Sequence, residues 1–511
     1  MSTSWLTAQP NRQPENLGKR VNSEHQELLP VISPDGLRLY FARKNHPENY
    51  LSPKESQEIW YSEYDPRTDK WGEAVHMSRD FNSQQINGIS AISPDGNTML
   101  VRAESEPGQQ TATGFAIRTR TTQGWSELEE LSIDGMPDMA KGVFMGGTLA
   151  GDGRTLLLYF SETIRSETND IYVSFLQPEG NWSKPASLGA TINTSDHSEV
   201  APFLAADGKT LYFASNRPGG QGDYDIYKSQ RQGNGWTQWS EPVNLGEPIN
   251  TPSFEAYYTI AASGEYAYMV SEQNAIGQSD IIRIPLTEAQ KPDPVVLVSG
   301  KATDMLAGVP VAVNLVYQVP ETGEVLGQGR SNATDGTYKL TLPYGNQYEI
   351  VATAENYETT IRALDLTVKR DYQVMEVNLG MNPKEGASSA TPPDLMADPF
   401  GTLLSSVYFT GKSLNIKGEA EIEMNLVLKI LRENPEVSMV IQGHADVPGS
   451  HNTNMALSKY RAQQARAWLI ARGIGPHRLP SIGYGNTKPA TLSRSVEGLK
   501  LNNRVEFHFD R

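Results

Sequence analysis

One pattern of apolar and polar residues occurs five times in the first 290 residues of the chain. Each copy has an apolar run, a two-residue turn that ends in Gly, and a second run in which apolar and polar residues alternate. Successive turns lie 55 to 60 residues apart, a spacing that indicates a structural repeat. The turns are Asp35-Gly36, Asp95-Gly96, Asp152-Gly153, Asp207-Gly208 and the variant Ser263-Gly264.

An Asp-Gly pair between two alternating runs predicts a β-hairpin, because Gly takes a positive φ without steric strain. A further strand-like run follows, as at Glu58–Ser62 and Asp225–Ser229, and then a segment with Trp, such as Trp239-Ser-Glu-Pro. Four strands per repeat predict the blades of an all-β propeller. Five blades are predicted, and six are the alternative if residues 105–150 contain a diverged repeat.

The two ends of the repeat region complement each other. The fifth repeat stops after a strand-like run at Asp280–Ile284, whereas residues 13–22 resemble the outer segment of the fourth repeat, residues 241–250. We therefore predict that the N-terminal segment supplies the missing strand and removes a free sheet edge. The predicted propeller spans residues 1–292.

The pattern changes after the repeats. Residues 293–380 contain short alternating runs separated by turn residues, which predicts a small β-sandwich. Residues 381–397 are rich in Pro, Ser and Ala without periodicity and predict a linker. Residues 398–511 alternate strand-like and helix-like runs, with a helix from about Asn452 to Arg472 ended by Gly473, and predict an α/β domain.

The composition excludes several classes of protein. The chain has 511 residues, a formal net charge of −16 and no cysteine. It is therefore multidomain and lacks disulfides and Cys-ligated zinc, and its acidity argues against nucleic acid as a partner. No apolar run reaches the ~18 residues of a transmembrane helix. The first ten residues lack the pattern of a secretory signal, so we expect either a cytoplasmic protein or a chain from which a targeting segment has been removed.

Known catalytic and metal-binding motifs are missing from the sequence. It contains no Gly-x-Ser-x-Gly, no His-Glu-x-x-His, no phosphate-binding Gly-rich loop and no calcium-loop spacing of Asp. We predict no catalytic residue, no metal site and no cofactor, and a protein that is not an enzyme.

Ordered sequence blocks mark the C-terminal domain. They include Gly443-His444-Ala445-Asp446, then Asn454 to Arg461, and Asn502-Asn503-Arg504-Val505. From Val407 to the C-terminus the chain resembles the OmpA-like peptidoglycan-binding domain. The resemblance implies that Asp446 and Arg461 hold the diaminopimelate of a peptidoglycan stem peptide. It also implies a third contact from Asn454 and a position of Arg504 facing the site.

The chemistry of the ligand suits those residues. A diaminopimelate side chain ends in an ammonium and a carboxylate, which an Asp and a bidentate Arg can bind together. The chain departs from the family pattern at Ala445, where Thr is usual, and at Asn503, where a second Arg is usual. These departures affect the expected affinity and not the expected fold.

Two weaker resemblances concern the other domains. The Ser-Pro-Asp-Gly repeats resemble TolB-type β-propellers, and residues 295–380 resemble a carboxypeptidase regulatory-like domain. The three domains in this order are similar to envelope lipoproteins of Bacteroidetes, including the peptidoglycan anchor of the type IX secretion system. The signal, lipidated Cys and helical repeats that are common in those lipoproteins are missing from this sequence.

The leading hypothesis is a non-enzymatic cell-envelope anchor in the periplasm, associated with the outer membrane and the cell wall. Its C-terminal domain would bind peptidoglycan, and its propeller would bind an envelope or outer-membrane protein complex. One alternative is a wall-tethered propeller hydrolase or lyase that acts on glycan or peptide. Another is a sensor whose propeller binds a small ligand or ion.

Overall fold

A computed structural model of the chain has two compact units. The first is formed by Met1–Tyr64 and Trp71–Ala390, and the second by Asp65–Lys70 and Thr391–Arg511. The structure describes residues 13–50, 56–84, 86–103, 114–122, 124–384, 407–409, 438–489 and 502–509, together with residues 424, 427, 428, 431, 432 and 499.

The first unit begins with strand β1 (Glu15–Asn16) and continues as antiparallel sheets in chain order. The first sheet contains β2 (Gln26–Ile32), β3 (Arg38–Lys44), β4 (Gln57–Asp65), β5 (Lys70–Trp71) and β6 (Val75–His76). The second sheet contains β7 (Ile89–Ile92), β8 (Thr98–Ala103), β9 (Gly114–Thr121), β10 (Gly124–Trp125) and β11 (Glu129–Glu130). A short helix, α1 (Met136–Met139), follows.

Three further sheets have four strands each. The third sheet contains β12 (Gly146–Leu149), β13 (Thr155–Phe160), β14 (Asp170–Phe175) and β15 (Ala186–Ser187). The fourth contains β16 (Glu199–Leu204), β17 (Thr210–Ser215), β18 (Asp225–Gln230) and β19 (Val243–Asn244). The fifth contains β20 (Thr259–Ile260), β21 (Tyr266–Ser271) and β22 (Asp280–Pro285), together with β1. The described part of residues 105–150 forms β9 to β11, α1 and β12, and no separate sheet.

Each predicted hairpin turn joins the first two strands of a sheet. The Gly of every turn has a positive φ, between 67° and 74°, in the region that Gly enters without strain. In the first four turns an Asp oxygen also accepts the backbone N–H two residues further on, at 2.7 to 3.0 Å. The local signal in the sequence therefore corresponds to a local interaction in the structure.

The fifth sheet is completed by the N-terminal segment. Strand β1 pairs antiparallel with β22, with Glu15 opposite Arg283 and Asn16 opposite Ile282. The Asn22 side chain accepts from the backbone N–H of Ile281 at 2.8 Å and donates to its carbonyl oxygen at 2.9 Å. A segment more than 250 residues away in sequence thus becomes the outer strand of this sheet.

The same Asn interaction occurs in three other sheets. In each case one Asn amide bonds both the N–H and the C=O of an Ile in the third strand. The pairs are Asn82 with Ile59, Asn193 with Ile171, and Asn250 with Ile226. Because the amide satisfies two backbone groups at once, it fixes the segment that leaves each sheet.

Two more sheets follow the repeats and share one hydrophobic core. One contains β23 (Val295–Asp304), β26 (Thr337–Pro343), β29 (Gln373–Glu376) and β30 (Leu379–Met381). The other contains β24 (Asn314–Gln318), β25 (Val325–Arg330), β27 (Gln347–Thr353) and β28 (Thr360–Asp365). We call these two sheets the sandwich. A bridge between Tyr357 and Pro383 and a bond from Lys384 N to Asn356 O extend it past the predicted boundary at residue 380. Residues 385–397 of the predicted linker lie outside the described residues.

The sandwich is bonded to four of the repeat turns. The contacts are the Asp35 carboxylate with the Lys339 ammonium, the Arg330 N–H with Asp95 Oδ2 at 2.8 Å, the Gln328 N–H with the Asp152 carbonyl at 2.8 Å, and the Asp293 N–H with Asp207 Oδ2 at 2.9 Å. Equivalent positions of four repeats therefore bind the sandwich or the segment that leads into it.

Among its described residues, the second unit has one sheet and one long helix, and the separate positions 424, 427, 428, 431 and 432 are also helical. Its elements are β31 (Val407–Tyr408), β32 (Met439–Gly443), α2 (His451–Ile470), a 3-10 turn (Pro476–Arg478), β33 (Ser481–Gly483) and β34 (Arg504–Phe509). The strand order is β31-β34-β32-β33, with β32 and β33 parallel. Ser450 caps the N-terminus of α2, and Gly473, with φ of 97°, follows its end as predicted. Among the described residues, no helix is long and apolar enough to cross a membrane.

We call the paired hydrogen bonds between an Asn amide and the backbone of an Ile an Asn clamp. The Asn clamp of the fifth sheet, Asn22 with Ile281, can be tested by mutation. We expect Asn22→Ala to lower the free energy of unfolding of the first unit by about 2 kcal/mol, because the buried Ile281 N–H loses its acceptor and the Ile281 carbonyl keeps only the Leu17 N–H. Urea unfolding followed by tryptophan fluorescence measures this change. The exposed Asn234→Ala serves as the matched control, with an expected change below about 0.5 kcal/mol. Equal stability of the Asn22→Ala and wild-type proteins would contradict a role of the clamp in closure.

Candidate functional site

Two glycines let helix α2 lie directly against the sheet of the second unit. A Cβ atom at Gly443 would be 2.0 Å from the Ser458 carbonyl oxygen, and one at Gly483 would be 2.5 Å from the Lys459 nitrogen. Only Gly permits such a close approach of two backbones. The middle of α2 therefore reaches the loop that follows β32, residues 444–447.

Side chains of α2 hold that loop in place. Asn454 Oδ1 accepts from the Val447 N–H at 2.9 Å, and Asn454 Nδ2 donates to the Val447 carbonyl at 3.0 Å. Ser458 Oγ accepts from the Gly485 N–H at 2.8 Å, and the Gly485 carbonyl accepts from the Ala445 N–H at 3.0 Å. The Asn454 amide thus stabilises the conformation of the loop.

Asn503 connects the loop to the helix. Its Oδ1 atom accepts from Arg461 Nη1 at 2.8 Å and from the Asp446 backbone N–H at 3.2 Å. Its Nδ2 atom donates to the Asp446 carbonyl at 3.2 Å and to the Leu499 carbonyl at 2.5 Å. One amide therefore connects the guanidinium of Arg461 with the backbone of Asp446 in the loop.

The two predicted charged residues differ in exposure. Asp446 keeps 7% of its surface exposed, and its Oδ2 atom accepts from Asn502 Nδ2 at 3.0 Å. Arg461 has no exposed surface, and its guanidinium lies 4.8 Å from the ring centre of Phe409. Burial lowers the pKa of Arg461 to about 10, so the side chain is still a cation at neutral pH.

Arg504 belongs to a second buried group on β34. Its Nε atom donates to Glu506 Oε1 at 2.6 Å, and Glu506 Oε2 lies 3.4 Å from His444 Nε2. The His444 ring stacks on Tyr484 at 5.5 Å. The charge of Arg504 is therefore balanced by Glu506 within the sheet.

The structure thus joins Asp446 and Arg461, uses Asn454 to hold the loop beside them, and pairs Arg504 with Glu506. Sequence reasoning missed the roles of Asn502 and Asn503, which bond Asp446 directly. The signal for both residues is the block Asn502-Asn503-Arg504-Val505, in which Asn503 replaces the Arg that the family resemblance predicts.

Known proteins resemble this part of the chain. The model of the OmpA family matches residues 408–502. The peptidoglycan-associated lipoprotein of Mesorhizobium japonicum is 30% identical over 129 residues, which make up 25% of this chain and 74% of that protein. The chain belongs to the OmpA family. The matched residues of this OmpA-family domain include Asn454 and the Asp446 and Arg461 pair, and Arg504 lies just beyond the match.

Other relatives and structures cover the same OmpA-family domain. The peptidoglycan-associated lipoprotein of Pseudomonas aeruginosa is 28% identical over 132 residues, 25% of this chain and 78% of that protein. A crystal structure of the peptidoglycan-associated lipoprotein from Burkholderia pseudomallei is 24% identical and covers 24% of this chain and 97% of that chain, with a TM-score of 0.21. The C-terminal domain of Helicobacter pylori MotB is 27% identical and covers 21% of this chain and 84% of that chain, with a TM-score of 0.20.

The hydrogen bonds of Asn503 generate a prediction for the OmpA-family domain. We expect Asn503→Ala to destabilise it by about 2 kcal/mol or more, because the buried Arg461 and the Asp446 backbone both lose a partner. Hydrogen–deuterium exchange of residues 444–447 should become faster by at least tenfold. Asn452→Ala, at an exposed position on the first turn of α2, is the matched control. Unchanged exchange in the Asn503→Ala protein would show that Asn503 does not hold the loop.

Proposed function

We propose that the protein is a non-enzymatic cell-envelope anchor that binds peptidoglycan through its OmpA-family domain. The observation that carries the proposal is that Asn503 bonds both the Arg461 guanidinium and the backbone of Asp446. Relatives of this domain are named peptidoglycan-associated lipoproteins, which supports the same function and a place in the periplasm near the outer membrane and cell wall.

The proposed ligand is the diaminopimelate residue of a stem peptide. Its ammonium would pair with Asp446, which keeps some exposed surface. Its carboxylate would reach the buried Arg461 by taking the place of Asn503 Oδ1, which now lies 2.8 Å from Nη1. A carboxylate is a stronger partner for a guanidinium than an amide oxygen, so this exchange is favourable.

The other two predicted residues act more indirectly in this proposal. Asn454 keeps the loop of Asp446 in place through its two bonds to Val447. Arg504 is held by Glu506 and contributes its charge beside the site. A direct contact of either residue with the ligand stays a prediction.

For the first unit we propose a five-bladed propeller of the TolB type that presents a docking face to an envelope protein complex. Support comes from the five successive sheets, the closure of the fifth sheet by β1, and one cavity lined by the first strand of every sheet. A radial arrangement of blades brings all first strands to one central channel. The carboxypeptidase regulatory-like assignment of the sandwich and the link to type IX secretion belong to the same proposal.

Ligand binding can be tested with the full chain. A stem peptide that contains diaminopimelate should bind saturably in an isothermal titration, and the same peptide with Lys at that position should bind at least tenfold more weakly, since it lacks the second carboxylate. Asp446→Asn should weaken binding of the diaminopimelate peptide by at least tenfold as well. Asp196→Asn, an exposed position in the first unit, is the matched control and should bind as the wild type does.

Two results would contradict the proposal. Equal affinity for the Lys and diaminopimelate peptides would mean that Arg461 does not bind the second carboxylate of diaminopimelate. Unchanged binding by a folded Asp446→Asn protein, with circular dichroism like that of the wild type, would mean that the peptide binds elsewhere.

A further inference from the structure

The first unit contains a cavity that peptidoglycan binding does not use. It has a volume of about 110 Å³, well above the roughly 10–15 Å³ that one water molecule needs. The first strands of all five sheets line it, and Thr341 of the sandwich lies at its wall. Most of the lining is apolar, with side chains such as Leu29, Ile89 and Phe203.

One charged side chain, Arg102, is found among the described residues that line the cavity. Tyr159 interacts electrostatically with Arg102 and with Tyr257, and all three residues line the cavity. Burial raises the pKa of Tyr159, so this phenol is neutral and can donate a hydrogen bond. Within the described part of the lining there is no carboxylate to balance Arg102, and a half-buried cation whose neighbours are neutral phenols is costly.

The backbone around the cavity is also unusual. Leu29, Ala201 and Tyr257 have φ values of 52°, 48° and 59°, a region that side chains other than Gly rarely enter. Each lies six residues before the turn Asp or Ser of its own repeat. The equivalent residue of the third repeat is Gly146, where a Cβ atom would be 2.4 Å from the Tyr159 hydroxyl oxygen. The positive φ is thus found in three of the five repeats around one cavity, and such strained backbone is typical of a functional site.

From this arrangement we propose that the cavity binds a small monocarboxylate with an apolar body, held at Arg102 by its carboxylate. The planar guanidinium can donate two parallel hydrogen bonds to a carboxylate, and the phenols of Tyr159 and Tyr257 add further donors. The apolar lining suits a short hydrocarbon group. A free amino acid fits less well, because the described lining offers no anion for its ammonium. This site is independent of peptidoglycan binding by the second unit.

Isobutyrate is a suitable probe for the full chain. It should bind saturably in an isothermal titration and raise the thermal midpoint of the wild type, since ligand binds only the folded state. Isobutyramide, which has the same shape without the charge, and inorganic phosphate are the comparison ligands. Both should bind at least tenfold more weakly than isobutyrate.

The Arg102→Gln variant separates a ligand site from a structural role. If Arg102 binds an anionic ligand, the affinity of this variant for isobutyrate should fall at least tenfold. Its thermal midpoint without ligand should stay the same or rise. Arg120→Gln is the matched control, because Arg120 is exposed on the same sheet and outside the cavity. Tyr257→Phe should fold as the wild type does and bind isobutyrate more weakly.

Several outcomes would overturn the proposal. They are no saturable binding of isobutyrate, binding of phosphate in its place, equal affinity for isobutyramide, or unchanged binding in Arg102→Gln. A lower thermal midpoint of Arg102→Gln without ligand would assign Arg102 a structural role and overturn it too.

Discussion

The hairpins of the first unit and their contacts with the sandwich depend on the Asp residues at the turns of the repeats. Each of the first four turns uses an Asp oxygen to close its own hairpin, and the same residues bond the sandwich or the segment that enters it. Because the repeat places equivalent groups on one edge of successive sheets, one partner can contact several of them at once. The contact with Lys339 holds the pKa of Asp35 below its usual range despite burial, so this ion pair persists at neutral pH. Thr341, which borders the cavity, belongs to the sandwich that these turns bind.

In the second unit, a neutral side chain organises buried charges. Asn503 stands where the family usually has a second Arg, and it bonds both Arg461 and the backbone of Asp446. An Arg at that position would place another cation beside the buried Arg461, at a cost in desolvation and repulsion. The amide supplies an acceptor to Arg461 and donors to the loop without adding charge. The departure from the family pattern thus preserves the connection between the two charged residues.

Local features of this fold were predictable from the sequence, and distant ones were less so. The Asp-Gly turns and the end of α2 at Gly473 depend on a few adjacent residues, and both appear as predicted. The pairing of β1 with β22 was predicted only because residues 13–22 copy another segment of the chain. The Asn clamps and the role of Asn503 were missed, since an Asn that bonds a backbone 20 or more residues away has no local pattern. The assembly of the sheets into blades is likewise a property of the whole unit, and it stays a proposal.

Arg461 and Arg102 show two different ways of keeping a cation inside a protein. Arg461 is fully buried, and the polar atoms of Asn503 and the His444 backbone surround it, so its cost is met within the fold. Arg102 borders an open volume instead, with phenols as its neighbours. Phenol oxygens accept hydrogen bonds but carry no charge, so they offset only part of the desolvation of a guanidinium. An anionic ligand can enter the space beside an incompletely balanced cation directly, whereas it reaches a cation with neutral partners only by replacing one of them. A ligand carboxylate would therefore have to displace Asn503 Oδ1 to reach the buried Arg461, whereas the half-buried Arg102 already has open space beside it.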